Sequence, residues 1–376
     1  MRYQNVCIES LGYTLPEEVI TSAEIERRLE PLYRRLRLPE GRLELITGIR
    51  ERRFWERGTL PSEKSIESGE KAIRAAGIDR REIGALIHAS VCRDHLEPAT
   101  ACAVHHHLEL PPECVIYDVS NACLGLLNGM VQIANMIELG QIRAGLVVGT
   151  ESSRQLVETT IAALNQNESL TRNQIKTAVA SLTIGSGSCA ILLTHRELSR
   201  TGNRLHAATA RANTAHHALC HSGQDEAGSG MQPLMETDSE RLMQEGIQTG
   251  VDTFKSFLEI SGWTSDKLQK TFCHQVGSTH RKLMLESLSL PIENDFATLE
   301  WLGNTGSVAL PMTMAIGLEQ GHVVANDHVG LLGIGSGINS VMIAVDWQRT
   351  LVASRLEQQG ATPHSRKRSS VATTTN

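Results

Sequence analysis

Aromatic side chains are scarce in this chain, with four Trp, four Tyr and five Phe among 376 residues. So few flat rings exclude a base-stacking platform or an aromatic sugar clamp. A basic excess is missing too: 36 Lys and Arg stand against 42 Asp and Glu, a net charge of −6. That balance argues against a general nucleic-acid binder. No run approaches the roughly 20 uninterrupted apolar residues of a membrane helix, and Met1–Val6 lacks the basic-then-apolar order of a signal peptide. The eight cysteines are scattered without a Cys-x-x-Cys pair, as expected of small buried hydrophobes in a cytoplasmic chain that needs no disulfides.

What is present is an ordinary core-forming composition, 40% apolar, in which short Val- and Ile-rich runs alternate with helical patterns. Thr21 followed by Glu24 predicts a capped helix through Ile25 and Leu29, and a second helix starts near Ser62 and stops at Gly77. Gly84–Ser90, Val115–Val119 and Gly145–Gly149 are near-continuous apolar runs, read as strands covered on both faces. The alternation predicts an α/β architecture with a largely parallel core. Between Ala122 and Leu139 lies a helix without charge until Glu138, which must be buried in mid-molecule.

The second half repeats this order. Leu268–Gly277 matches Ile83–Val91, Leu302–Gly321 matches Ser120–Gly140, and Val329–Gly333 matches Gly145–Gly149. The pattern suggests an internal duplication, each half supplying one sheet: 1–195 carries Cys123, and 196–348 carries His274 and Asn304. Residues 151–180 and 215–245 read as insertions that cover a site, and 349–376 as a solvated, disordered tail.

Cys123 differs from the other seven cysteines because it follows a strand and a tight polar corner and opens the central helix. Unpaired N–H groups there favour a thiolate and can hold an oxyanion, although a buried structural cysteine would leave the same local trace. His274 ends a strand, and Asn304 opens the second apolar helix. Under the duplication, all three corners fall at one end of the sheets, where sites of parallel α/β folds gather.

The runs Val119-Ser120-Asn121-Ala122-Cys123, His274-Gln275-Val276, Gly303-Asn304-Thr305-Gly306 and Gly333-Ile334-Gly335-Ser336-Gly337 resemble those of thiolase-superfamily condensing enzymes, and more narrowly of ketoacyl synthase III. Thr47–Arg53 is similar to an early motif of that family. The resemblance spans about residues 1–347 and implies a five-layered αβαβα fold, a homodimer, and a Cys123–His274–Asn304 triad with an oxyanion hole from the backbone N–H groups of Cys123 and Ser336. Arg93–Thr100 is similar to the OleA-type enzymes, which join two acyl-CoA molecules head to head. That similarity implies that Glu97 reaches the partner subunit's site and acts as the base there.

A carboxylate fits this chemistry. A decarboxylating synthase makes its carbanion by losing CO₂, whereas joining two unactivated acyl thioesters requires removal of an α-proton. The implied function is therefore non-decarboxylative Claisen condensation of two fatty acyl-CoA thioesters to a 2-alkyl-3-ketoacyl product, released as a β-keto acid, through an acyl-Cys123 intermediate. No cofactor is implied beyond the CoA or phosphopantetheine thioesters themselves, and the partners implied are enzymes further down a hydrocarbon or lipid pathway. Two alternatives stay open: a synthase III using a malonyl-carrier donor, and a non-catalytic subunit of the same fold. Ser186 and Ser188 depart from the family's Gly-Asp-Gly-Ala turn, and Val276-Gly277 stands where synthase III often has Ala-Asn. His105-His106-His107 spreads around a helix, His216, His217 and His221 form a weaker cluster beside Cys220, and no metal site is expected at either.

Overall fold

A computed structural model describes residues 1–172, 174–222 and 235–354. The first half runs through β1 (Val6–Thr14), β2 (Glu18–Thr21), α1 (Ser22–Arg28), α2 (Glu30–Leu36), α3 (Arg42–Thr47), β3 (Glu51–Phe54), α4 (Pro61–Ala76), β4 (Ile83–Ala89), α5 (Thr100–His107), β5 (Val115–Val119), α6 (Gly125–Glu138), β6 (Ala144–Glu151), α7 (Arg154–Gln166) and β7 (Gly187–His195). The second runs through β8 (Arg204–Ala212), β9 (Cys220–Ser222), β10 (Met235–Thr237), α8 (Ser239–Ser261), β11 (Lys270–Cys273), α9 (Ser278–Ser287), α10 (Leu299–Leu302), α11 (Ala309–Glu319), β12 (His328–Gly335), β13 (Asn339–Asp346) and β14 (Val352–Ala353). The Thr21 side chain accepts from Glu24 N at 3.0 Å to start α1, and Gly77, at φ +62°, ends α4.

The duplication is written into the sheet. One half has the order β1-β7-β6-β4-β5 and the other β8-β13-β12-β11, with the same antiparallel, antiparallel, parallel sequence of neighbours. The fifth position of the second half is reduced to a parallel bridge between Thr271 and Asp295. The half-sheets were expected to be separate; they join into one sheet where Cys7 pairs with Arg204, with an antiparallel bridge between Arg2 and Ala207 alongside.

Alternate side chains of each strand leave on opposite faces and bury different layers. Ile87 and Val147 on one half, with Leu331 and Ile343 on the other, close on Leu126 and Met130 of α6 and Leu310 and Met314 of α11. Their neighbours Leu86 and Leu146 turn outward onto Ala72 and Ile73 of α4 and Val104 of α5. Leu332 and Met342 turn outward onto Phe254 and Phe257 of α8 and Leu285 of α9. The result is the five-layered αβαβα stack, with both apolar helices in the central layer.

Three expectations need correcting. The sheet is mixed and not largely parallel, since β1–β7, β7–β6, β8–β13 and β13–β12 all pair antiparallel. β5 is not covered on both faces: it is the edge of the sheet, Val115 is 45% exposed, and its other four residues are half-buried. The tail does not begin at Arg349, because Val352 and Ala353 pair with Leu11 and Gly12 of β1, and Leu11 N donates to Leu351 O at 3.0 Å. Residues 355–376 lie outside the described residues. Among the described residues no helix is long and apolar enough to cross a membrane.

Candidate active site

Cys123, His274, Asn304 and Ser336 line one cavity of about 960 Å³. Cys123 sits in a 3-10 turn, Ala122–Leu124, that leads into α6. Ala122 before it has φ +42°, a left-handed conformation unfavourable for a residue with a Cβ and held here by its neighbours. Leu124 N donates to Asn121 O at 2.9 Å, and Asn121 Nδ2 donates to Asn128 Oδ1 at 2.8 Å, so the corner is fastened on both sides. The β12–β13 turn passes close by: a Cβ on Gly335 would lie 3.6 Å from the Cys123 nitrogen, and Asn339 Nδ2 donates to Ser336 O at 3.2 Å.

The expected preference for thiolate at Cys123 is not found. Cys123 is half-buried on the cavity wall, and burial pushes the thiol up to about 12, with Cys220 and the Glu151 carboxylate adding to the rise. Loss of water around the anion outweighs what a short helical turn supplies.

His274 follows β11 and is buried, and neither ring nitrogen has a partner among the described residues. Burial, helped by His280, pushes it down to about 3, so the imidazole is neutral over the working pH range. Gln275 is structural: its Oε1 accepts from Thr298 N and Leu299 N, both at 3.0 Å, and so fixes α10 ahead of Asn304. Asn304 N donates to Thr183 O at 2.9 Å, and Gly306 N donates to Asn304 Oδ1 at 3.0 Å. The second bond engages the Asn304 oxygen and leaves the Nδ2 end to donate elsewhere.

Both insertions wall the cavity as expected, 151–180 with Leu156 and Val179, and the described part of 215–245 with Cys220, Met235 and Leu242. Ser186 and Ser188 make up for the missing family turn with hydroxyl bonds: Ser186 Oγ accepts from Ser153 N at 2.9 Å, and Ser188 Oγ accepts from Thr150 Oγ1 at 2.8 Å. Within the Thr47–Arg53 motif, Arg52 is fully buried, donating to Ser22 Oγ at 3.0 Å and Leu182 O at 3.2 Å.

Glu97 does not line this cavity. It is exposed on the loop between β4 and α5, whose ends are pinned where Asp94 Oδ1 accepts from Ser62 N at 2.9 Å and Asp118 accepts from Thr100 N at 2.7 Å. Three cavity-lining groups were missed by sequence reasoning: Glu151 at the end of β6, Cys92, and His280, which burial pushes down to about 4. A lone acidic residue after an apolar strand signals only a chain leaving the core, so nothing in the sequence marked Glu151. Of the histidine clusters, His105 Nε2 lies 3.0 Å from Pro111 O, His106 and His107 are exposed, and His216 Nε2 lies 3.2 Å from Glu245. No metal-binding group is found among the described residues.

Known proteins repeat this arrangement. Residues 56–227 match the thiolase N-terminal domain, and residues 258–347 match the C-terminal part of 3-oxoacyl-[acyl-carrier-protein] synthase III. An acyl-CoA:acyl-CoA alkyltransferase of Shewanella oneidensis is 42% identical over 92% of this chain and 100% of its own length. A protein of that name from Xanthomonas campestris is 33% identical, again over 92% and 100%. The crystal structure of Xanthomonas campestris OleA with bound lauric acid and lauroyl-CoA superposes with a TM-score of 0.86 at 32% identity, covering 92% of this chain and 100% of that one. The chain therefore belongs to the OleA group of acyl-CoA:acyl-CoA alkyltransferases within the thiolase superfamily.

Proposed function

We propose that the protein is an acyltransferase that condenses two fatty acyl-CoA molecules head to head without decarboxylation. The observation that carries this reading is the convergence of Cys123, His274 and Asn304 on one apolar-walled cavity in a chain 42% identical to an acyl-CoA:acyl-CoA alkyltransferase. The thiol of Cys123 attacks the first thioester, and its proton passes to the neutral His274 ring and on to the departing CoA thiolate. Backbone N–H groups of Cys123 and Ser336 hold the tetrahedral oxyanion. The second thioester places its oxygen against His274 and Asn304 Nδ2, and Glu97 of the partner subunit removes its α-proton. The resulting enolate carbon attacks the acyl-Cys123 carbonyl, the C–C bond forms as the C–S bond breaks to give back the Cys123 thiolate, and the product is a 2-alkyl-3-ketoacyl-CoA, whose remaining thioester water cleaves to the β-keto acid and CoA.

A homodimer built along β5 supports the role of Glu97. β5 leaves an open sheet edge, and Val91, Leu96 and Val115 beside it are 51%, 63% and 45% exposed. The halves divide at 195/196, between β7 and β8. The thioesters supply all the chemistry without a further cofactor. A cytoplasmic setting suits eight unpaired cysteines and a CoA substrate, and enzymes that act on the β-keto acid would follow it.

The test is acyl-CoA alone, with no malonyl donor. β-Keto acid, together with an acyl adduct on intact protein that Cys123→Ser abolishes, is the expected result. An adduct without condensation until malonyl-carrier protein is added would establish the synthase III reaction instead. Absence of any adduct would leave a non-catalytic subunit.

A further inference from the structure

Glu151 is 5% exposed at the end of β6, and its carboxylate gathers four hydrogen bonds from uncharged donors. Oε1 accepts from Val91 N at 3.0 Å, Ser307 N at 3.3 Å and Ser307 Oγ at 2.6 Å, and Oε2 accepts from Cys92 N at 3.4 Å. These donors belong to opposite halves of the chain. Val91 and Cys92 open the loop that displays Glu97, while Ser307 lies in the 3-10 turn Gly306–Val308 just after Asn304. The approach is close: a Cβ on Gly306, at φ +58°, would lie 3.2 Å from the Glu151 Cδ and Oε1.

We propose that Glu151 is a positioning residue for the condensation step, setting at once the loop from which Glu97 enters the partner subunit's cavity and the turn from which Asn304 faces its own. The inference rests on the reading of Glu97 given above. A carboxylate suits the task because it only accepts, so one group can satisfy donors arriving from both sides. Proton abstraction and enolate stabilisation both belong to the second half-reaction. Glu151 therefore governs condensation and leaves acyl loading of Cys123 largely untouched. Its charge has a separate effect, since it opposes ionisation of Cys123.

The experiment uses the full-length enzyme and compares Glu151→Ala, Glu151→Gln and Glu97→Gln. Cys123 acylation is read by intact mass, β-keto acid by turnover, and Cys123 ionisation by the pH profile of iodoacetamide alkylation. Glu151→Ala should load within about threefold of the native rate and condense about 10²-fold more slowly, the scale expected when a reacting group is misplaced by an ångström. Glu151→Gln keeps an oxygen for the Val91 and Ser307 N–H groups and should recover most of that loss. Both variants should move the Cys123 profile to lower pH, which packing damage alone would not do. Should Glu151→Ala not fold, Ser307→Ala removes the 2.6 Å bond to Glu151 along with a 3.1 Å contact to Ala89 O, and should slow condensation about tenfold while leaving loading within about threefold. Condensation by Glu151→Ala within about threefold of native overturns the proposal, as does an equal fall in loading and condensation that Gln does not repair. A native rate in Glu97→Gln overturns the reading of Glu97 alone, and Glu151 is then judged on its own loss.

Discussion

The Gly306 amide donates to Asn304 Oδ1 at 3.0 Å, and this bond engages the oxygen end of the Asn304 side chain on its own turn. With the oxygen engaged, the NH₂ end is left to donate, as the proposed mechanism requires of it toward a developing enolate. Asn304→Asp keeps the shape and the bond from Gly306 but turns that donor into an acceptor. Condensation should fall by about 10²–10³, the scale seen when an oxyanion donor is removed, while a burst of CoA release from Cys123 loading persists. A burst lost together with turnover would place Asn304 in the first half-reaction.

Burial pushes His274 down to about 3 and His280 down to about 4, from an ordinary value of 6.5. The unfolded chain takes up protons at both below pH 6.5, while the folded chain leaves both neutral until far lower. Stability contributed by these groups is complete above pH 6.5 and shrinks as pH falls toward 4. In thermal denaturation across that range, His274→Gln and His280→Gln should each flatten the dependence of Tm on pH. An unchanged slope would mean that neither ring is held neutral.

The Cys123 thiol, pushed up to about 12, should be poorly nucleophilic toward a small alkylating agent at neutral pH. Its iodoacetamide rate, mapped by peptide, should keep rising past pH 9 instead of levelling near the ordinary thiol value of about 8.5. Acyl-CoA should still load at pH 7, because His274 takes the proton within the complex. A plateau below pH 8 would show that the helix terminus prevails after all.

Gly185 N donates to Asn304 O at 2.8 Å, and a Cβ on Gly185 would overlap Leu302 O. Gly185→Ala must therefore part the two turns that hold Asn304. A loss of about 3 kcal/mol in urea unfolding is expected from such overpacking against backbone. Residual folded enzyme should condense more slowly than it loads. Native stability would mean that the turns separate freely.

Much of this architecture could be read from residue order. α6 and α11, each uncharged until its last residue, announced a central layer, and the repeated polar corners after β5, β11 and α10 pointed to Cys123, His274 and Asn304 as neighbours. What escaped depends on contacts across the fold. The ionisation of Cys123 turns on how many atoms enclose it, and enclosure is a tertiary quantity. Glu151 draws donors from positions near 91 and 307, so neither neighbouring sequence hints at its burial. Val115–Val119 looked like an interior strand because an edge strand can carry the same apolar pattern as one covered on both faces.

The place of β1 has a consequence for how the protein is made. It precedes the other described strands in the chain, yet it pairs on one side with β7, completed only at His195, and on the other with Arg204 and with Val352 and Ala353. The partners of β1 are thus far from it in sequence, a high-contact-order arrangement that favours slow closure. A chain ending before Val352 would bare the backbone of β1 around Leu11, an unpaired edge open to a strand from any other molecule.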